Sequence, residues 1–467
     1  MDKNELRIGQ SRVGELIDGD EATPKTRTQL QRPGDGHVDL YVPWSGIGPD
    51  EVYRRWFAGN GISFVDDLDR TKYRYEVPRN LIFQDHLGPV ALVGCSSAGY
   101  SESWGWGMGA GRARVQYAVL GGRNLSYATI SGMKTEITGL HTWLGINSIQ
   151  VEESHDPRHA TYHLDLAPSV EIDGVIGLTF EPVIQRPSGN EGETVLKQST
   201  LVQTLWDEPR RWSDHWRVHR AVRDLVAIAA WRDERFIRAA VSRHDDPLRV
   251  ATGDAVARNW HDVIAAEVTE GAVSPVRKGD AFLFRSSDLH VSSVAAWIAL
   301  RDQYSRAVDP IVSTLSMRGA TIEVPLALVG IGMEALGYQI AMKNRSKSAA
   351  NGLSLAERLK VLAADLPIAP PFDIEDWVTG TAEAYNGIKH ANRTMPSPIE
   401  QLNRVRQSQL VFRMWVAAQL GMGAAELEAA VALDPMTHAY VAAPDAADGP
   451  LTDDAGGSSS TAAKTTP

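Results

Sequence analysis

Asn386 and His390 stand four residues apart in the run Ala384-Tyr385-Asn386-Gly387-Ile388-Lys389-His390-Ala391, a spacing that brings two side chains to one edge of a helix. An imidazole exchanges protons near neutral pH, so it can take the proton of a ribose 2′-hydroxyl or deliver one to a leaving 5′-oxygen. An amide beside it can orient a phosphate or ribose, and a cation can stabilise the extra negative charge on phosphorus. Lys389 and Arg393 are the nearby cations, and the set suits RNA cleavage without metal or other cofactor. Between Lys389 and Arg413 the chain also carries Arg404 and Arg406 against a single acid, Glu400, which offers RNA a local basic patch. By residue type and spacing alone, a histidine ending an amphipathic helix is more often a solvated cap.

Asp373 is the predicted N-cap of the helix carrying these residues, over Ile374 to His390. At about 100° per residue, Ile374, Trp377, Thr381, Ala384 and Ile388 form one stripe facing a bundle, with Tyr385 at its edge. Glu383, Asn386 and His390 fall opposite, and Arg393 joins them if the helix runs one turn further. Two capping boxes announce other helices: Ser354 with Glu357, and Ser397-Pro398 with Glu400. The first helix carries Leu355, Leu359, Leu362 and Leu366; the second runs through Leu402, Leu410, Phe412, Met414 and Val416 and reads as largely buried. The apolar run Ile322 to Met342 contains Glu323, Pro325, Glu334 and Gln339, which fits a buried bundle helix better than a membrane span. Glu334 on that run is a candidate for holding a histidine or arginine in place; a carboxylate reaching solvent from a helix end reads equally well.

The first 35 residues are polar with no sustained period and are expected to form a loose arm. From about His37 to Gln185 the signals are short β runs with glycine breaks, such as Leu81-Ile82-Phe83, Val90 to Val93, Arg114 to Leu120 and Thr161 to Leu166. Around Leu201 to Val241 the period lengthens, with Val218, Val222, Leu225, Ile228 and Ala229 at helical spacing. The expected architecture is therefore α+β: an arm (1–35), a β-rich domain with closing helices (36–285), an all-α bundle (286–425), and a disordered tail (442–467) of Ala, Asp, Gly, Ser and Thr.

With 467 residues, 43% of them hydrophobic and 22% charged, the composition is that of a globular protein of two or three domains. The formal net charge of −11 excludes a general electrostatic attraction for nucleic acid, so RNA contact has to come from a local patch. The single cysteine, Cys95, excludes an internal disulfide and suits a reducing compartment. Met1 to Gln10 lacks the apolar core of a signal peptide, and a cytoplasmic location without membrane contact is expected.

Other signals carry less. The glycine run from Trp104 to Gly111 has neither a strand leading in nor a helix leading out, so a β-loop explains it better than a dinucleotide site. His155, His159 and His163 are spaced by fours, but Pro157 prevents a shared helical face. His215 and His219 lack a third ligand for zinc. Asp245-Asp246 reads as a turn. The thirteen tryptophans, Trp44, Trp56, Trp104, Trp106 and Trp143 among them, suit a core better than a ligand-sensing surface.

Ala384 to Ala391 resembles the Arg-Asn-x-x-x-His signature of HEPN domains, and within them the Apea-like branch. Pro78-Arg79-Asn80-Leu81-Ile82-Phe83 with Gly88 and Leu92-Val93-Gly94-Cys95 resembles the start of the ApeA N-terminal domain. Ser131 to Ile137 followed by Gly139-Leu140-His141-Thr142-Trp143-Leu144-Gly145 is similar to that domain's most recognisable stretch. The resemblance spans about Leu81 to Leu420. It implies a HEPN bundle paired with a second copy, metal-independent RNA cleavage in anti-phage defence, and a phage-derived trigger. Carried over by position, His390 is the catalytic histidine and Asn386 the polar residue beside the motif arginine, whose own place is held by Tyr385. Lys389 or Arg393 would then supply the missing charge. The alternative is a catalytically inactive HEPN protein that binds RNA or a partner while the β-rich domain senses.

Overall fold

The computed structural model describes residues 3–45, 51–58, 76–103, 105, 107–155, 158–187, 192–269, 281–289 and 292–441. The architecture is α+β. A 14-stranded antiparallel sheet runs from Val170–Glu171 at one edge to Ser96–Ser103 at the other, and the chain beyond Ser293 is helical. The helices are α1 (Glu51–Ala58), α2 (Leu140–Leu144), α3 (Trp212–Ala230), α4 (Ser293–Gln303), α5 (Ser305–Ser313), α6 (Glu323–Asn344), α7 (Lys347–Asn351), α8 (Leu355–Ala364), α9 (Ile374–Lys389), α10 (Pro398–Gln419) and α11 (Ala424–Leu433).

Two expectations need correction. The first 35 residues are no loose arm: Ser11–Ile17 and Arg27–Gln31 are paired strands within the sheet, and Leu6, Leu16 and Leu30 are buried. Exposure alternates along Ser11–Ile17, but the dry face carries Arg12 and Gly14 beside Leu16 and the wet face carries Val13 and Ile17, so polarity does not follow the period. Arg12 fixes this segment with a bidentate pair to Asp85 at 2.8 and 2.5 Å, both side chains at most 5% exposed. The second correction concerns Leu201 to Val241. Only α3 is helical there; Lys197–Arg211 and Phe236–Ser242 are strands flanking Thr129–Ile137. The residues that announced the helix, Val218, Val222, Leu225, Ile228 and Ala229, are all buried on α3. The predicted tail, 442–467, lies outside the described residues.

One hydrophobic cluster, with Leu30, Leu40, Trp44, Tyr53, Phe83 and Leu92, lies where α1 packs on the sheet. The other runs continuously from the sheet through α3 into the bundle, so the helical region shares a core with the sheet. Polar bonds lock that joint. Trp297 Nε1 donates to Ala221 O at 2.7 Å, and Arg301 Nε to the Asp224 carboxylate at 2.7 Å. Arg413 donates to Ile228 O and Ala229 O at 2.9 and 2.8 Å and pairs with Asp434 at 2.7 Å. The last carbonyls of a helix have no partner within it, and here a buried guanidinium from α10 supplies one.

A second device fastens α3 to the sheet. His215 and His219, both fully buried, join Thr204 and Thr135 in a chain whose proton positions are set when both rings are neutral. His215 Nε2 lies 3.2 Å from Ile130 O, an acceptor, so that nitrogen carries the hydrogen. His215 Nδ1 therefore accepts from Thr204 Oγ1 at 2.7 Å, Thr204 accepts from His219 Nε2 at 2.9 Å, and His219 Nδ1 accepts from Thr135 at 2.7 Å. Burial pushes His215 down to about 4, and burial together with His215 pushes His219 well below its usual value, which keeps both imidazoles neutral. Because the unfolded histidines take up protons below about pH 6.5 and the folded ones do not, stability is full above that value and is lost as the pH falls. His215 alone should lose about 2 kcal/mol between pH 6.5 and 5, with His219 adding in the same direction. Urea unfolding at pH 7 and pH 5 checks this; equal stability at both would contradict the neutral chain.

Among the described residues, α6 is the one helix long and apolar enough to cross a membrane, and half of it is buried. It packs against α5, α8, α9 and α10, as a bundle core helix does.

Candidate functional site

Helix α9 begins where the sequence placed it, with Asp373 accepting from the Asp376 N–H at 2.7 Å. Its apolar stripe packs on α6, α8 and α10, with Trp377, Thr381, Ala384 and Tyr385 buried. Asn386 is half-buried; Glu383, Lys389 and His390 are exposed. The helix stops at Lys389, and His390 is its C-cap, its N–H donating to Asn386 O at 3.0 Å. The further turn that would have carried Arg393 onto this face does not form. Instead the Arg393 N–H donates to His390 O at 2.9 Å in a tight turn, and the chain doubles back so that Met395 lies against Gly387. A Cβ at Gly387 would sit 2.7 Å from the Met395 sulfur, so glycine is what admits the return. His390, Asn386 and Lys389 thus share the end of one helix, and exposed Arg393 follows in the adjoining turn.

Tyr385, at the place where the resemblance expects an arginine, is packed against α6. Its ring lies on Gly330 of α6, where a Cβ would come within 2.2 Å of it. The Lys389 ammonium stands 4.8 Å from the ring centroid, a cation–π contact that holds this charge beside the motif. Burial first, then the Glu334 carboxylate as a charge and as a hydrogen-bond acceptor, push the Tyr385 hydroxyl up. Glu334 also receives Arg358 Nη1 at 2.9 Å. The carboxylate that was a candidate for holding a histidine or arginine does hold an arginine, but one from α8. Arg358 was overlooked in the sequence. The signal for it was faint: it follows the capping glutamate Glu357 by one residue, on a helix read only for its leucines.

The proposed basic patch is largely engaged within the fold. Arg404 lies across Gly380, where a Cβ would come within 2.3 Å of its Nε, and binds Asp376 with two bonds of 2.7 and 3.0 Å. That pair holds the Asp376 carboxyl below its usual range. Arg406 donates to Met436 O at 3.1 Å, to the Tyr440 hydroxyl at 3.0 Å and to Pro435 O, tying down the chain after α11. Arg413 is buried. Lys389 and Arg393 are the exposed cations of this end of the bundle.

The remaining sequence signals resolve as structure. Asp246 accepts from the Tyr127 hydroxyl at 2.7 Å and pairs with His261 at 3.0 Å. Burial works against that carboxylate, but those bonds hold it below its usual range. His155, His159 and His163 are exposed on the hairpin of Ile149–His155 with Arg158–Leu164; Pro157 lies outside the described residues. The glycine run joins the paired strands Ser96–Ser103 and Met108–Val115; Trp104 and Trp106 lie outside the described residues. Of the other tryptophans, Trp44, Trp56 and Trp143 are core.

The model of a family described as ApeA N-terminal domain 1 matches residues 56–297, from α1 across the sheet and into α4. No curated protein and no solved structure matches the chain.

Proposed function

We propose, from the premise that this chain belongs to the ApeA N-terminal domain 1 family, that it is a HEPN-type, metal-independent endoribonuclease acting in anti-phage defence. The family membership points to the defence role; the nuclease assignment rests on α9. The observation that carries it is an exposed histidine sharing a helix end with a half-buried asparagine and a lysine. His390 moves the proton of the 2′-hydroxyl or of the leaving oxygen, Asn386 orients the scissile phosphate, and Lys389 and Arg393 stabilise its developing charge. Arg404 and Arg406 contribute through the positions they fix, with RNA contact left to whatever part of each guanidinium faces solvent. RNA is the substrate, a phage-derived product the trigger, and a second copy pairs through the bundle. A cytoplasmic location fits the lone thiol, Cys95, which is buried and pushed up to about 12 by that burial.

A specific observation favours a second reading. Tyr385 stands packed and neutral at the arginine position, as expected of an inactive bundle that binds RNA or a partner. Incubating the full chain with total cellular RNA, with and without EDTA, separates the two. Cleavage that survives chelation is the expected result; cleavage only with a metal overturns the metal-independent mechanism, and no cleavage leaves the binding module.

A further inference from the structure

A cleft of about 460 Å³ opens in the bundle between α5, α6 and α8, lined by Arg306, Glu334, Tyr338, Gln339, Asn351 and Arg358 among others. Its ionic groups are two arginines and one carboxylate, a local net charge of +1 in a chain of −11. Arg306 is exposed at the rim. Arg358 is deeper, its side chain 14% exposed, with Nη1 on Glu334.

Two atoms in this cleft are left unpaired by the fold. Arg358 Nε is a buried donor and Gln339 Oε1 a buried acceptor, and neither has a hydrogen-bond partner. The orientation of Gln339 is fixed, since its Nε2 donates to Gln303 O at 3.3 Å, so the carbonyl end is the orphan. Buried polar atoms are nearly always satisfied, by protein, by ordered water or by a bound group. The missing partner must offer an acceptor to a guanidinium and a donor to an amide oxygen. A sugar phosphate has both: anionic oxygens, and a hydroxyl close by. Tyr338, Ile331 and Ala335 supply apolar wall for the sugar face.

The cleft is joined to the end of α9. Glu334 is the shared residue, holding Arg358 on the cleft side and placing its negative charge beside the Tyr385 hydroxyl on the other, while Lys389 rests on the Tyr385 ring. We infer that the cleft is a nucleotide subsite of the RNA strand, in which Arg306 and Arg358 hold a phosphate and Gln339 Oε1 accepts a ribose hydroxyl. This rests on the RNA reading above and extends it: a strand seated here is positioned by the two arginines of the cleft.

The test uses the full chain carrying His390→Ala, so that bound RNA stays intact, and a fluorescein-labelled 12-nucleotide RNA with its DNA counterpart read by anisotropy. Arg306→Ala should weaken RNA binding about tenfold and lower the slope of log affinity against log salt by about 0.7, the value for one phosphate contact on a single strand. Gln339→Met, which keeps the volume and removes the acceptor, should weaken RNA several-fold and leave DNA unchanged. Both variants should melt as the parent does, because one side chain is exposed and the other is replaced by an isostere. Parental RNA affinity in both overturns the subsite. Inorganic phosphate displacing the probe as well as AMP does, with Gln339→Met unchanged, makes this a free-anion site and also overturns it. RNA cleavage by the unsubstituted chain is scored separately. Binding that depends on Arg306 without cleavage keeps the subsite and removes the nuclease, whereas cleavage with binding indifferent to Arg306 removes the subsite alone.

Discussion

Substituting alanine for His390 should lower RNA cleavage by about 10²- to 10⁴-fold, the range expected when a general acid or base is removed, and leave the melting temperature unchanged. The stability half follows from where the residue sits. His390 is exposed at the C-cap, and what it gives the fold is a backbone bond, its N–H to Asn386 O, which alanine keeps. The activity half follows from chemistry: Asn386, Lys389 and Arg393 can bind and polarise a phosphodiester but cannot exchange a proton at neutral pH. Binding of uncleaved RNA should therefore persist. Gel analysis of a defined RNA, with differential scanning fluorimetry on the same preparations, checks both halves. Cleavage at the parental rate would remove His390 from the chemistry and reduce this helix end to a solvated surface.

The helix that carries Asn386 and ends at His390 was legible because a helix has one period and its caps have residue preferences. Asp373, Ser354 and Ser397 each announced a helix start that the structure contains, and the apolar stripe of α9 named Tyr385 correctly as its margin. What the sequence could not carry was the fate of the charges. Arg404 looks as free as Lys389 in a linear string, yet it is committed to Asp376, 28 residues away, by way of a glycine that clears its path. Arg358 looks like one more surface cation on a leucine-bearing helix, yet it sits beside Glu334 in the cleft. Periodicity reports which face of an element is dry; it says nothing about which opposite charge another element will present there.

The same limit explains the sheet. Short strands such as Asn80–Asp85 and Gly88–Val93 were readable from their apolar runs and their connecting turn, where Gly88 adopts φ +119. Ser11–Ile17 was not, because its dry face carries Arg12 and Gly14 beside Leu16, while Val13 and Ile17 are on the wet face. Lys197–Arg211 was mistaken for helix because it runs without a glycine directly into the periodic sequence of α3. Strand identity there is set by pairing with the preceding strand, Leu178–Gln185, and with Thr129–Ile137, far back in the sequence, rather than by local preference.

Arg413→Met should destabilise the protein by about 3–5 kcal/mol, the loss expected when one member of a buried ion pair is removed. Methionine fills most of the volume, so the loss is electrostatic. It strands the Asp434 carboxylate, 3% exposed, removes the side-chain donor to Ile228 O and leaves Ala229 O with the Leu283 N–H alone. Arg413→Lys should fall between, since an ammonium can still face Asp434 but cannot reach both carbonyls with the planar fork of a guanidinium. Adding Asp434→Asn to Arg413→Met should restore part of the loss by removing the stranded charge, an interaction that a double-mutant cycle in urea measures directly. Additive losses from the two substitutions, or a cost below about 1 kcal/mol for Arg413→Met, would mean that this pair does not hold the joint. If it does hold, α10 ties two regions together: its middle caps the helix of the sheet region through Arg413, while Arg404 near its start clamps the first turn of α9.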